Sequence, residues 1–442
     1  MSNWKSAALL PVALLMLIAG CGHAAPDPDE AASRAIARHA APLSVADQTL
    51  SPEAAAVLDA AVAGVDLVAM GESRHDTHEQ MVIKRQLFRR LVDAHGFRLL
   101  ILEESYAHAR ALDRYVTTGE GDAAAILNEL PGWYLWDVEE IASLVEWIRR
   151  RNAAAPGDMV RVAGMDITAP APGMRLALDY LHRRGARRDI GPDDLRLDLH
   201  DGEFWPAVWS AHGQLSAAAR DTLARRHEAV VAAFDHLPPG DDDQAAAMRL
   251  HARIGLFAQR LYCSADRAAG GAAREQGQFT VVRRLLGHEF PGARAVIWTH
   301  NLHAARATFR MPDFGDDVHT PVGVMLHDEL GDRYLALGAT FGAGRFPADT
   351  PPGARDFPLP AAATMDGMIA RATGGALLVD LRAAAHDPAV ADWLNGPRGW
   401  RAQDADAFLT PAHAFDLVFH VPDVSRALLT ARARARHEGG HR

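Results

Sequence analysis

The sequence predicts an α/β protein, a parallel-rich central sheet flanked by helices with a helical insertion, and three observations predict it. Short apolar runs alternate with amphipathic helical stretches between Val65 and Asp166, the rhythm of right-handed β-α-β units. From about Pro170 to Ala273 that rhythm stops and long helical patterns replace it. Short apolar runs return at Ala293 and recur as far as Val421.

The elements follow in order. Ser51–Ala63 reads as a helix, with Ser51 placed to cap it and Pro52 in its first turn. Val65–Met70 is a buried strand that turns at Gly71. Thr77–Ala94 is helical, with Met81, Leu87 and Leu91 on one face, and Gly96 ends it. Phe97–Leu102 is the next strand and closes on Glu103-Glu104. Val138–Arg151 is amphipathic, and Val160–Ala163 is a third strand that leads to Gly164-Met165-Asp166. Ser216–His236 and Ala245–Cys263 are long helices of the insertion. Ala293–Thr299 restores the sheet, and Val322–Leu326 with Tyr334–Phe341 is an expected hairpin. Ala376–Asp380 and Phe415–Val421 are two last strands, and Ser425 onward is a basic helix that frays. The expected organisation is a leader over 1–21, a tether over 22–45, a discontinuous α/β core over 46–170 and 274–424, the insertion over 171–273, and a basic tail over 425–442.

A net charge of −10 gives no case for nucleic acid as a partner. Lys5 precedes the apolar stretch Ala7–Ile18, which is short for a membrane span and has the layout of a secretory signal. That stretch ends in Leu17-Ile18-Ala19-Gly20-Cys21, which resembles the lipobox of bacterial lipoproteins, where the cysteine is lipidated after cleavage. An envelope protein held by a lipid anchor at Cys21 is expected, periplasm-facing and in the outer membrane, since Gly22 and not Asp follows. The alternative is an ordinary signal peptide with an incidental cysteine. Cys263 is the only other thiol, so no intrachain disulfide staples the mature chain, and its helical neighbourhood suits a core position. Nothing in the sequence speaks to oligomeric state.

Four strand ends carry reactive groups: Glu72 with His75, Glu103, Asp166, and His300 in Trp298-Thr-His-Asn-Leu-His303. Ligands gather at the C-terminal ends of parallel strands, so these groups are expected to share one rim. The chemistry they suit is base-assisted hydrolysis. A histidine takes a proton from water near neutral pH, and an adjacent carboxylate orients it. His300, with Arg85 or Asn301, is expected to stabilise the oxyanion. Trp133 and Trp136 are candidates for an aromatic wall. Ser73 lacks the closing glycine of a nucleophile elbow and reads as a loop cap. No cofactor is called for. Two alternatives stay open: the same Glu/His cluster holding a divalent metal for hydrolysis, or a non-catalytic envelope lipoprotein that binds its ligand there.

The ordered set Gly71-Glu72-Ser73-x-His75, Glu79, Arg85, Gly96-Phe97, Glu103, Ser105-Tyr106 and Tyr115-Val116 resembles the erythromycin esterase family. The Trp133/Trp136 region, Trp147-Ile148-Arg149-x-x-Asn152, Gly164-x-Asp166, His300-Asn301-x-His303 and Gly338–Phe341 extend the resemblance, which runs from about Ala41 to Val421. It implies an ester or macrolactone as small-molecule substrate and a metal-free mechanism. His75 would be the general base, Glu72 and Glu103 the acidic residues around it, and His300 with His303 the second histidine pair. Substrate contacts would fall to His303, Asn301, Asp166, Trp133 and Trp136. Two segments depart from the pattern. Asp76 stands where the family has glycine, and its charge is expected to raise the pKa of the base. Arg274-Glu275-Gln276-Gly277 matches the expected helix start weakly.

Overall fold

The apolar run that ends at Met70 is buried along its whole length, and the sheet extends outward from it on both sides. The computed structural model describes residues 28–200, 205–237, 242–315, 317–348 and 353–440. In chain order the strands are β1 (Ala40–Pro42), β2 (Leu67–Met70), β3 (Phe97–Ser105), β4 (Arg161–Asp166), β5 (Arg294–Trp298), β6 (Phe309–Arg310), β7 (Val318–His319), β8 (Tyr334–Phe346), β9 (Arg355–Phe357), β10 (Leu377–Asp380), β11 (Arg398–Ala402), β12 (Ala405–Leu409) and β13 (Leu417–Val424). The main sheet has the order β1-β10-β13-β8-β2-β5-β3-β4, with β9 added to β8. From β13 to β4 the six neighbours run parallel, while β1 and β10 form an antiparallel edge. A small antiparallel sheet, β11-β12-β6-β7, stands apart.

Central strands bury both faces, and the period of two decides which residue goes where. Val68, Met70, Leu100, Leu102, Val296 and Trp298 enter one apolar layer. Their alternates Leu67, Ala69, Leu99, Ile101, Ala295 and Ile297 enter the other. The first layer is covered by the helices Pro52–Ala61, His78–His95 and Glu139–Ala154, the second by Asp242–Cys263 and Arg267–Arg284. Ser51 caps its helix as expected, accepting from the Ala54 N–H at 3.1 Å.

Three expectations are corrected. Val322–Leu326 is no hairpin strand but the start of the helix Val322–Leu330. Val322, Gly323 and Leu326 are the buried positions, a helical stripe, and Gly323 packs so close that a Cβ would lie 2.4 Å from the Ala305 carbonyl oxygen. The helix Arg267–Arg284 runs straight through the expected boundary at 273–274. Ser425–Thr430 is extended, and only Ala431–Gly440 is helical. The leader, including Cys21, lies outside the described residues. Among those residues no helix is long and apolar enough to cross a membrane.

Candidate active site

The loop after β2 is anchored before it presents anything. Gly71 sits where a Cβ would fall 2.3 Å from Asn301 Oδ1, so only glycine lets the chain leave the sheet here. Ser73 is fully buried, donates its hydroxyl to the Ala339 carbonyl at 2.7 Å and accepts from Gln80 Nε2. It is a loop brace, as expected, and no nucleophile. The extended stretch Ser425–Ala427 pins the next turn: the Ala427 N–H donates to the Asp76 carbonyl, and Glu79 accepts from both the N–H and hydroxyl of Ser425.

His75 emerges from this loop with its side chain one-fifth exposed. Its Nδ1 lies 2.7 Å from Glu72 Oε1. Its Nε2 has no protein partner among the described residues, and the ring lines a cavity of about 260 Å³. Burial works against the imidazolium, but Glu103 and Glu72 outweigh it and raise the pKa. Asp76 does not supply that effect as expected. Its carboxylate is paired with buried Arg74, Oδ1 to Nε 2.7 Å.

Glu103, at the end of β3, is saturated. Its Oε2 accepts from the Thr299 hydroxyl at 2.6 Å and the His300 N–H at 2.9 Å. Its Oε1 lies 2.8 Å from Arg274 Nη2 and 3.0 Å from His303 Nε2. Burial would raise this carboxyl, yet the cations His303, His75 and Arg274 hold it well below the usual range. His303 in turn lies between Glu103 and Glu275, with Nδ1 2.7 Å from Glu275 Oε1. Burial opposes its charge, and the two carboxylates overcome that and raise it to about 10. Asp166 accepts from Arg274 Nε at 3.0 Å and from the Thr168 hydroxyl at 2.7 Å.

The four strand ends therefore do share one rim, but several expected roles fall elsewhere. Arg85 points away and donates to Ser143. Its neighbour Lys84 is the buried cation, with Nζ 2.5 Å from Glu72 Oε2. Asn301 spends its amide on the backbone of Ala339, donating to the carbonyl and accepting from the N–H. His300 lies 5.1 Å from His75, ring centre to ring centre, with the two planes tilted by 53°. Its Nε2 donates to the Ser73 carbonyl and its Nδ1 accepts from the Leu302 N–H. Both nitrogens are occupied, and burial keeps the ring neutral, its pKa far below the ordinary value. None of these three groups is free for an oxyanion. Asp166 and His303 are tied to Arg274 and the carboxylates. Trp136 lines the cavity with Tyr134 and Leu135, whereas Trp133 lies off the wall beneath Arg436.

Five contributors were missed. Lys84 had a signal, since it falls between Met81 and Phe88 on the buried stripe of its helix. Arg274 and Glu275 come from the segment that matched weakly. Gln403 had no signal. It sits in the turn between β11 and β12 at φ +56°, lines the cavity, and accepts from the His75 N–H at 2.9 Å. The last is Glu104, also on the cavity wall.

Fold and site together define an α/β protein whose strand ends gather a histidine–carboxylate centre. The chain belongs to the erythromycin esterase family: the model of that family, described as erythromycin esterase, matches residues 92–424. The match includes Glu103, Asp166, Arg274, His300 and His303, while Glu72, His75 and Lys84 precede it. Three solved structures share the fold. A protein from Bacillus cereus is 20% identical with a TM-score of 0.72, over 91% of this chain and 99% of its own. A succinoglycan biosynthesis protein is 17% identical with a TM-score of 0.73, over the same shares. A mutant of the erythromycin esterase EreC, in its open conformation, is 18% identical with a TM-score of 0.68, over 87% of this chain and 97% of its own.

Proposed function

We propose that the protein hydrolyses a carboxylic ester or lactone, with water activated by His75 and no metal. The observation that carries this is the His75 ring itself, on the cavity wall with Nδ1 fixed on Glu72 and Nε2 left without a protein partner among the described residues. A base held by a carboxylate on one nitrogen and open on the other is the arrangement that takes a proton from water. Arg274, also on the cavity wall and fixed there by Glu103 and Asp166, supplies the positive field that favours the oxyanion. Glu103 orients Arg274 and His303 and favours the imidazolium as it forms.

A metal-free route fits the donor set. Every oxygen of Glu103 and both nitrogens of His300 are already engaged. Among the described residues no three His, Cys, Asp or Glu groups converge as metal ligands. At about 260 Å³ the cavity is small beside the roughly 300–1,000 Å³ of drug-sized pockets. That favours a compact ester or lactone over a whole macrolide. We place the protein in the cell envelope, anchored through Cys21, on the sequence of the leader; acylation lost in Cys21→Ala would support that.

The test is hydrolysis of a panel of simple esters, lactones and macrolides, followed by mass as gain of one water. His75→Ala is expected to lose at least about 100-fold in turnover, the lower end for an acid–base group, and to stay folded. Undiminished hydrolysis in that variant removes His75 from the reaction.

A further inference from the structure

We propose that Glu104 is the general acid of this hydrolysis, the group that protonates the departing alkoxide. This rests on the hydrolase assignment of His75 above.

Adjacent residues of a strand point to opposite faces of a sheet. Glu103 and Glu104 should therefore be separated, with one of them out of the site. They are not, because β3 slips register against β4 between Leu102 and Ser105. Such an irregularity re-aims a side chain, and it recurs beside active sites. Both carboxyls consequently line the cavity that holds His75.

Their surroundings there are opposite. Glu103 is held by an arginine, an imidazolium, a hydroxyl and a backbone N–H. No Lys, Arg or His side chain pairs with Glu104 among the described residues. It accepts from the Ser105 N–H at 2.5 Å and lies beside Gly132 and Trp136. A Cβ at Gly132 would come within 3.3 Å of Glu104 Oε2 and 3.2 Å of Trp136, so the glycine is what lets this wall close over the carboxyl. Burial, with repulsion from Asp166 and Glu103, raises Glu104 to about 7 against the pull of the backbone donors. One carboxyl is held ionised and its neighbour keeps a proton up to pH about 7, the division of labour that acid and base chemistry at one pH requires.

The proton balance closes. His75 Nε2 takes a proton from water as the new C–O bond forms, and the carbonyl becomes an oxyanion. When the carbonyl re-forms, the ester C–O bond breaks and its electron pair stays on the alkoxide. That oxygen takes the proton of Glu104 and leaves as an alcohol. The proton on His75 then returns to Glu104 through solvent.

The test compares p-nitrophenyl acetate, whose phenoxide leaves without help, with ethyl acetate, whose alkoxide needs a proton. Glu104→Gln is expected to lower kcat on ethyl acetate by about 100-fold or more. The penalty on p-nitrophenyl acetate is expected to be at least about tenfold smaller, because an acid acts only where a poor leaving group needs it. Wild-type kcat on ethyl acetate should also fall above pH about 7, with no such limb on the aryl ester; this readout serves even if the variant fails to fold. Equal penalties, or identical upper limbs on the two esters, overturn the Glu104 assignment alone. A wild-type protein inert towards both esters and towards the lactones and macrolides of the panel overturns the hydrolase assignment and this inference with it.

Discussion

Lys84 and Glu72 form a buried ion pair, Nζ to Oε2 2.5 Å, with the two side chains 0% and 2% exposed. The Lys84 ammonium also lies 4.4 Å from the Trp298 ring centre and donates to the Thr299 carbonyl. Burial, countered in part by Glu72, lowers it to about 8. Glu72 thus bridges a cation behind it and the His75 ring in front. The pair fixes the carboxylate that fixes the base.

Removing one member of a buried pair strands the other. Lys84→Met is expected to destabilise the fold by about 3–5 kcal/mol, read by urea denaturation. A change under about 1 kcal/mol, the range of exposed pairs, would show that Glu72 does not depend on Lys84.

Arg85 lies one residue further on and faces Ser143 near the surface. Arg85→Ala is expected to change stability by no more than about 0.5 kcal/mol and to leave kcat/KM near the wild-type value. A large loss of kcat/KM with the fold intact would return Arg85 to the site.

His75 must be neutral to act as a base, and Glu103 and Glu72 hold its pKa above 6.5 against the effect of burial. The acid limb of kcat/KM is therefore expected to have its midpoint above 6.5, and activity should rise with pH through it. Stability runs the other way. A raised folded pKa gives stabilisation that is complete below the unfolded value and is lost as pH rises through the folded one. Glu72→Gln should move the limb down; a limb unmoved by that change would mean that Glu72 does not tune the base.

Gln403 adopts φ +56° and reaches the His75 N–H with its side-chain oxygen. Asparagine tolerates that backbone region but is one methylene shorter. Gln403→Asn is expected to keep the melting temperature and to lose on the order of 10- to 100-fold in kcat, the scale of a misplaced catalytic group. Wild-type kcat in this variant would show that the loop holds His75 without it.

Much of this site was legible because strand ends are local features. An apolar run that stops at Gly-Glu, at Glu-Glu or at Thr-His announces where a buried strand meets a polar rim, and Glu72, His75, Glu103, Asp166 and His300 were found that way. The family resemblance reached the same positions. Val322–Leu326 misled because five apolar-rich residues fit a strand as well as a helix, and only the packing of Gly323 on the Ala305 carbonyl decides between them.

The sequence by itself determined the alternation of strands and helices, the period-two split of the core, and the chemistry that each strand end carries. These follow from backbone hydrogen bonding and from which face of a short element avoids water. Tertiary structure decided which neighbour entered the site. Lys84 and Arg85 differ by about 100° around one helix, and that rotation puts one beneath Glu72 and the other at Ser143. It also brought Arg274 from the last helix before β5, and Gln403 from a turn of the small sheet, to residues far away in the chain. Such meetings depend on how whole layers pack, and no local pattern of residues encodes them.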